Sequence, residues 1–393
     1  MIIDSTLPIF TAATPSTAQV DSIAGGALGR GMDALMAEDY DKAIREFKRT
    51  IALSPSSDNA FTAYDYLATT QVKSLQPGEA EKTYKQAIKV FPSADGFHLN
   101  LGHLLFSQSR TDEAVQQYAA AVKLNPTESQ NRYALGQGYL TLKRYDDAAA
   151  QFKEVIRLQP KDSGGYYALG QTYREAGKLD AAQEQLDKAL ALKNDFPYAH
   201  YERGLLYAEQ QQITKAQDEL AILSEAAPEL VNDLRNKISE KSAPRFLNAY
   251  STSLNLASAP GTKLSSLDSS LTTPGGEGDF TIKFIFDKEM DPASVQNAAN
   301  WTISRSTSYQ TGGLYNWGLE APSTEVNIPI RPASVTYDST ILTAKVTVKI
   351  AQNSSGDGTI DLSHLVFKFS GTDSYGNVMD ASADKYNAIS TVV

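Results

Sequence analysis

The side chains able to do chemistry are few and scattered. Four histidines, His98, His103, His200 and His364, do not form the H-x-x-x-H pair of a zinc-binding helix. With no cysteine, the chain has no disulfide, no thiolate metal ligand and no cysteine nucleophile. Near the C-terminal end, Asp373, Asp380 and Asp384, with Asn377, offer the several oxygen donors that Ca²⁺ takes. They lack the D-x-D-x-D-G order of a calcium loop, so turn formation is the stronger reading. The glycines of GGALGRG at 25–31 lack G-x-G-x-x-G spacing and open a helical pattern instead of following a strand. No nucleophile, histidine and acid fall into one grouping. The expectation is a non-enzymatic chain with no cofactor and no metal.

Binding is better served. YALGQGY at 133–139 returns as YALGQTY at 167–173, a period of 34 residues. In that frame position 5 holds Leu99, Tyr133, Tyr167 and Tyr201, and position 9 holds His103, Gln137, Gln171 and Leu205. Arg174 follows at position 12. Tyrosine offers apolar area plus a hydroxyl, and glutamine can pair with a bare backbone. Such a stripe grips an extended segment, or else its rings pack between adjacent helices. A second candidate is the irregular stretch 306–324, whose Tyr309, Tyr315 and Trp317 form either a contact tip or a plug folded onto the domain beneath.

The frame also predicts the elements that carry the stripe. Each unit has a small residue at position 8, alanine at 20, a large residue at 24 and in most units proline at 32, as in Gly136, Ala148, Phe152 and Pro160. Small residues let two helices approach, the large one fills the gap between them, and proline ends the second helix. Six units fit: 24–57, 61–94, 95–128, 129–162, 163–196 and 197–230. They resemble the tetratricopeptide repeat, a helix–turn–helix unit. That resemblance implies an all-α superhelix binding a protein or peptide partner along its inner, first-helix surface. The basic and asparagine positions of the carboxylate clamp that holds chaperone tails do not recur. Stacked units need a polar-backed lid, which ELVNDLRNKISEKS at 229–242 supplies.

Beyond Ser242 the period changes to two and Gly, Ser and Thr become dense. Phe280, Ile282, Phe284 and Phe286 share one face, as do Leu342, Ala344, Val346, Val348 and Ile350. Further strands are expected at about 246–256, 301–305, 325–330, 333–337 and 364–370, giving an antiparallel β-sandwich over 243–393. FIFDKEMDPASVQNAANWTI, with Asp291, Pro292, Val295 and Trp301, and the later Asp373, Gly376 and Asn377, resemble a bacterial immunoglobulin-like domain of surface-layer and adhesive proteins.

A formal charge of −10 with no cluster of Lys and Arg argues against nucleic acid. No run approaches the roughly 18 apolar residues of a membrane span. Residues 1–23 read as a loose leader without the basic start of an ordinary secretory signal, the first basic residue being Arg30. The whole is expected to be a multidomain α + β chain, an all-α repeat superhelix followed by an all-β immunoglobulin-like sandwich. Its expected function is a protein-interaction scaffold, located at the cell surface or in the cytoplasm. The alternatives are a structural subunit of an extracellular filament or layer, built on homotypic contacts as an oligomer or polymer, and a cytoplasmic assembly factor.

Overall fold

The computed structural model describes residues 16–387, apart from Thr252, Leu254, Ala257 and 308–312. The chain divides into two compact units, one up to Leu206 and one from Tyr207 onward. Among the described residues, no helix is long and apolar enough to cross a membrane.

The first unit is a run of antiparallel helix pairs: α1 Thr17–Met36 with α2 Tyr40–Leu53, α3 Asp58–Lys73 with α4 Pro77–Val90, α5 Asp95–Ser107 with α6 Thr111–Leu124, α7 Ser129–Thr141 with α8 Tyr145–Leu158, and α9 Ser163–Glu175 with α10 Leu179–Leu192. Helix α11, Pro197–Glu209, runs on across the division. Within a pair, the glycine at position 8 lies against the large residue sixteen places on. A Cβ added at Gly102 would sit 2.5 Å from the Tyr118 ring, and one added at Gly136 would sit 2.7 Å from the Phe152 ring. Only glycine allows these helices their close approach. The odd-numbered helices, the first of each pair, also pack on one another, α1 on α3, α5 on α7 and α7 on α9.

One repeating device closes each pair. Position 15 of every unit, Glu38, Leu75, Ser109, Lys143, Gly177 and Gln211, takes a positive φ between 57° and 73°. The next residue's N–H then reaches back five residues to the helix, as from Arg144 to the Tyr139 carbonyl at 2.8 Å and from Lys178 to the Tyr173 carbonyl at 2.8 Å. This is the hydrogen bond of a Schellman motif, which satisfies carbonyls orphaned at a helix end. Helix α1 begins inside the stretch read as a leader, because Ser16 and Gln19 form a reciprocal capping box that starts it at Thr17.

The second unit contains α12 Ile213–Ala226 and α13 Pro228–Lys241, followed by a β-rich region. Three antiparallel groups of strands occur there among the described residues. The first has the order β1 Phe246–Ser251, β3 Glu277–Phe286, β6 Thr343–Ala351, β5 Ser334–Asp338. The second is β4 Trp301–Arg305, β8 Leu365–Phe369, β9 Lys385–Asn387, and the third pairs β2 Thr262–Lys263 with β7 Thr359–Ile360. Side chains of the first two share one core, with Phe284 5.1 Å from Trp301 and 5.6 Å from Phe367, and Phe286 5.5 Å from Phe369, between ring centres. The expected strand at 325–330 does not form. Only an isolated bridge joins Glu325 to Thr359, and Pro329 can donate no ladder hydrogen bond.

Helix α13 is fastened to the β-rich region by groups from the two motifs noted in the sequence. The Lys288 ammonium, 7 % exposed, donates to the carbonyls of Ser239 and Ser242 and to Ser242 Oγ at 2.9 Å. It also lies 3.4 Å from Asp373 Oδ2. Asn377 Nδ2 donates to the Glu240 carbonyl at 2.7 Å. A cation thus meets the C-terminal end of α13, where the helix dipole and unpaired carbonyls favour one.

Candidate functional site

Three cavities lie in a row along the odd-numbered helices of the first unit. One of about 330 Å³ is lined by Phe61, Thr62, Asp65 and Tyr66 of α3 and by Gly96, Phe97 and Asn100 of α5. The next, about 520 Å³, shares Asp65 and Asn100 with it and adds Thr69, Lys73, His103 and Ser107. A third, about 310 Å³, shares His103 and is walled by Phe106, Tyr118, Tyr133 and Gln137. Volumes of this order are those of side-chain and small-ligand pockets.

Fixed polar groups furnish these cavities. Asn100 Nδ2 donates to Asp65 Oδ1 at 2.7 Å, joining α3 to α5. His103 is exposed as a residue, but its Nδ1 lies 3.0 Å from the Tyr118 hydroxyl, and the partial desolvation of its ring there holds the imidazole below the ordinary histidine value. Burial, together with the Asp65 charge, pushes the Tyr84 phenol up to about 12, so it stays a hydrogen-bond donor.

The predicted stripe divides. His103, Tyr133 and Gln137 come together on the third cavity. Leu99 and Leu205, each 7 % exposed, are buried and offer no contact face. Tyr133 and Tyr167 are half-buried, with ring centres 5.5 Å from Phe152 and 5.0 Å from Phe196, so each spends one face on packing. Tyr201 is half-buried as well.

Gln171 and Arg174 converge on a residue that the positional reading missed. Gln171 Nε2 donates to Glu202 Oε1 at 2.9 Å, and Arg174 Nε donates to Glu202 Oε2 at 2.6 Å. Glu202 is 3 % exposed, and burial raises its carboxyl above the ordinary value against the pull of Arg174. Its signal was available: position 6 is Ala134 and Ala168 in the two preceding units, so a carboxylate in that row must have a partner.

In the β-rich region Tyr309 lies outside the described residues. Tyr315 is no contact tip: it is buried, with the Arg305 guanidinium 4.9 Å from its ring centre. Trp317 is 64 % exposed and sets its ring edge-on to His364 at 4.8 Å. His364 itself is buried against Asp361, its Nδ1 2.7 Å from Asp361 Oδ2. The carboxylates considered for calcium have other occupations. Asp373 accepts the N–H groups of Tyr375 and Asn377 at 2.9 and 2.8 Å, Asp380 accepts that of Ser382 at 2.9 Å, and Asp384 pairs with Lys368 at 3.2 Å. No group of three or more His, Asp or Glu side chains suited to a metal ion occurs among the described residues.

Stacked helix pairs, locked by glycine against a large residue one helix away, define a helical-repeat scaffold. Over residues 67–211 the repeat matches the tetratricopeptide repeat. That family, as Tetratricopeptide repeat, matches residues 67–129, 104–163 and 133–182, and as TPR repeat it matches 170–211. Solved structures similar to the chain include one from a functional characterization of pilF of Pseudomonas aeruginosa, at 18 % identity over 56 % of this chain and 99 % of that one, with a TM-score of 0.46. A tetratricopeptide repeat protein from Parabacteroides merdae is 17 % identical over 56 % and 86 %, with a TM-score of 0.49. YrrB, a TPR protein with an unusual peptide-binding site, is 21 % identical over 48 % and 98 %, with a TM-score of 0.40. No curated protein matches the chain.

Proposed function

We propose that this chain is a non-enzymatic scaffold whose odd-numbered helices bind an extended segment of a partner protein. The array is taken as six units over 24–230 with a capping helix at 229–242. The region 243–393 is taken as an immunoglobulin-like sandwich that attaches the array to a surface assembly or spaces it from one. The observation carrying the binding role is the row of three adjoining cavities, each sharing side chains with the next. Neighbouring helix axes stand about 8–10 Å apart. An extended chain advances about 3.3 Å per residue, so about three residues of a bound segment would span the step from the α3–α5 cavities to the α5–α7 cavity.

The test uses fluorescent random decapeptides and the double variant His103→Ala with Gln137→Ala. His103 is exposed and Gln137 half-buried, and neither belongs to the apolar core. Fluorescence polarisation is expected to show at least a tenfold loss of affinity, with Tm moved by no more than about 2 °C, since surface changes usually stay within about 0.5 kcal/mol. Unchanged affinity would remove the binding role from these helices.

A further inference from the structure

The smallest-scale feature of the first cavity points to what enters it. Asp65 is half-buried at the junction of two cavities, and its neighbours there donate hydrogen bonds without bringing positive charge. Asn100 holds one carboxylate oxygen at 2.7 Å, and the Tyr84 phenol stands beside the carboxylate as a second neutral donor. Among the described residues, Asp65 forms no ion pair within 4.0 Å, although a carboxylate on the adjoining helix α4 does, Glu81 with Arg110 at 2.7 Å. Lys73 lines the 520 Å³ cavity but sits eight residues farther along α3, about 12 Å of helix rise away. The carboxylate is therefore oriented yet electrically uncompensated.

Its surroundings are aromatic. Phe61 is 40 % exposed and stands over the cavity with its ring centre 4.7 Å from that of buried Phe97, and Tyr66 closes another side. Aromatic faces carry partial negative charge and attract an ammonium or guanidinium within about 6 Å. A carboxylate between aromatic walls, in a pocket of about 330 Å³, is complementary to a cation and repels an acid. Gly96 leaves the opposite wall open, for a Cβ added there meets nothing within 4 Å.

We infer that the pocket between the N-terminal halves of α3 and α5 is a specificity subsite for a lysine or arginine side chain of the bound segment. This inference rests on the binding role proposed above for the odd-numbered helices. It adds to that role a chemical preference and a place.

The experiment measures binding of the full chain to four decapeptide pools, random except for a central Lys, Arg, norleucine or Glu. Norleucine keeps the stem of lysine without its charge. The Lys and Arg pools are expected to bind about tenfold more tightly than the norleucine pool, with the Glu pool weakest. Asp65→Asn keeps the shape of the side chain and should erase the preference while leaving norleucine affinity within twofold. Gly96→Phe should weaken the Lys and Arg pools by filling the cavity, and it provides a second reading if the Asn variant folds poorly. Equal affinity of the wild-type chain for Lys, Arg and norleucine pools would overturn the subsite while leaving the groove intact, as would a preference that survives both substitutions. Failure of all four pools to bind the wild-type chain would overturn the groove and the subsite together.

Discussion

Replacing Lys288 with methionine is expected to destabilise the unit from Tyr207 onward by about 3–5 kcal/mol, the cost of deleting one member of a buried ion pair. The ammonium carries several contacts at once. It serves two carbonyls at the end of α13, the Ser242 hydroxyl and the Asp373 carboxylate, whose side chain is fully buried. Methionine fills the same volume, so the loss isolates the charge and its hydrogen bonds from packing. Asp373 would keep the N–H groups of Tyr375 and Asn377 but lose the only cation within 4.0 Å of it among the described residues. In a unit of this size the deficit corresponds to roughly a 10 °C fall in Tm. Calorimetry checks this, and a fall under 2 °C would mean that the helix end is satisfied by water.

The second large effect is expected at Glu202. Burial has raised its carboxyl despite Arg174 and Gln171, so desolvation outweighs the attraction within the pair. Even so, Glu202→Ala strands partners arranged around a charge, and a loss of about 3 kcal/mol follows for the unit up to Leu206. Arg174→Ala should cost less, because its side chain is 13 % exposed against 4 % for Glu202. The double variant should cost at least about 1 kcal/mol less than the two single losses added together. The pH dependence has a definite sign. A carboxyl whose folded value is raised gives full stability below its unfolded value near 4.5, and loses it as pH rises through the raised value. Denaturant titration across that range should show a downward slope that Glu202→Gln flattens. An additive double variant would deny the coupling.

What the sequence disclosed depended on whether a constraint is written in residue identity. The position 8 to position 24 contact is so written, because the space at Gly102 and Gly136 admits no side chain. The left-handed turn at position 15 is not. Only Gly177 advertises it, while Glu38, Leu75, Ser109, Lys143 and Gln211 adopt the same backbone under pressure from the two helices they join. Alternation placed β3 and β6 well, since each buries every second side chain, and Trp301–Arg305 emerged as β4. It failed at 325–330, where apolar spacing looked strand-like but Pro329 interrupts the donors.

The repeat frame put His103 and Gln137 at one position, and they line one cavity. Period alone could not tell an exposed position from a covered one, so Leu99 and Leu205 shared the frame yet went to the core. Asp65 at position 5 and Glu202 at position 6 stand in the same frame, but period does not name their partners one unit away, Asn100 in one case and Gln171 with Arg174 in the other. For Tyr315 the sequence left contact tip and plug open, because aromatic content in a loop says nothing of which way the loop folds.

The central claim is that partners meet this chain on its odd-numbered helices, and site-specific photocross-linking tests it most directly. Benzoylphenylalanine would be placed at Gln130 and Gln137 on α7, and for comparison at exposed Lys123 on α6 and Lys188 on α10. Adducts to a second polypeptide from the two α7 sites, and none from the other two, are the predicted result. Adducts from Lys123 or Lys188 with none from α7 would contradict it.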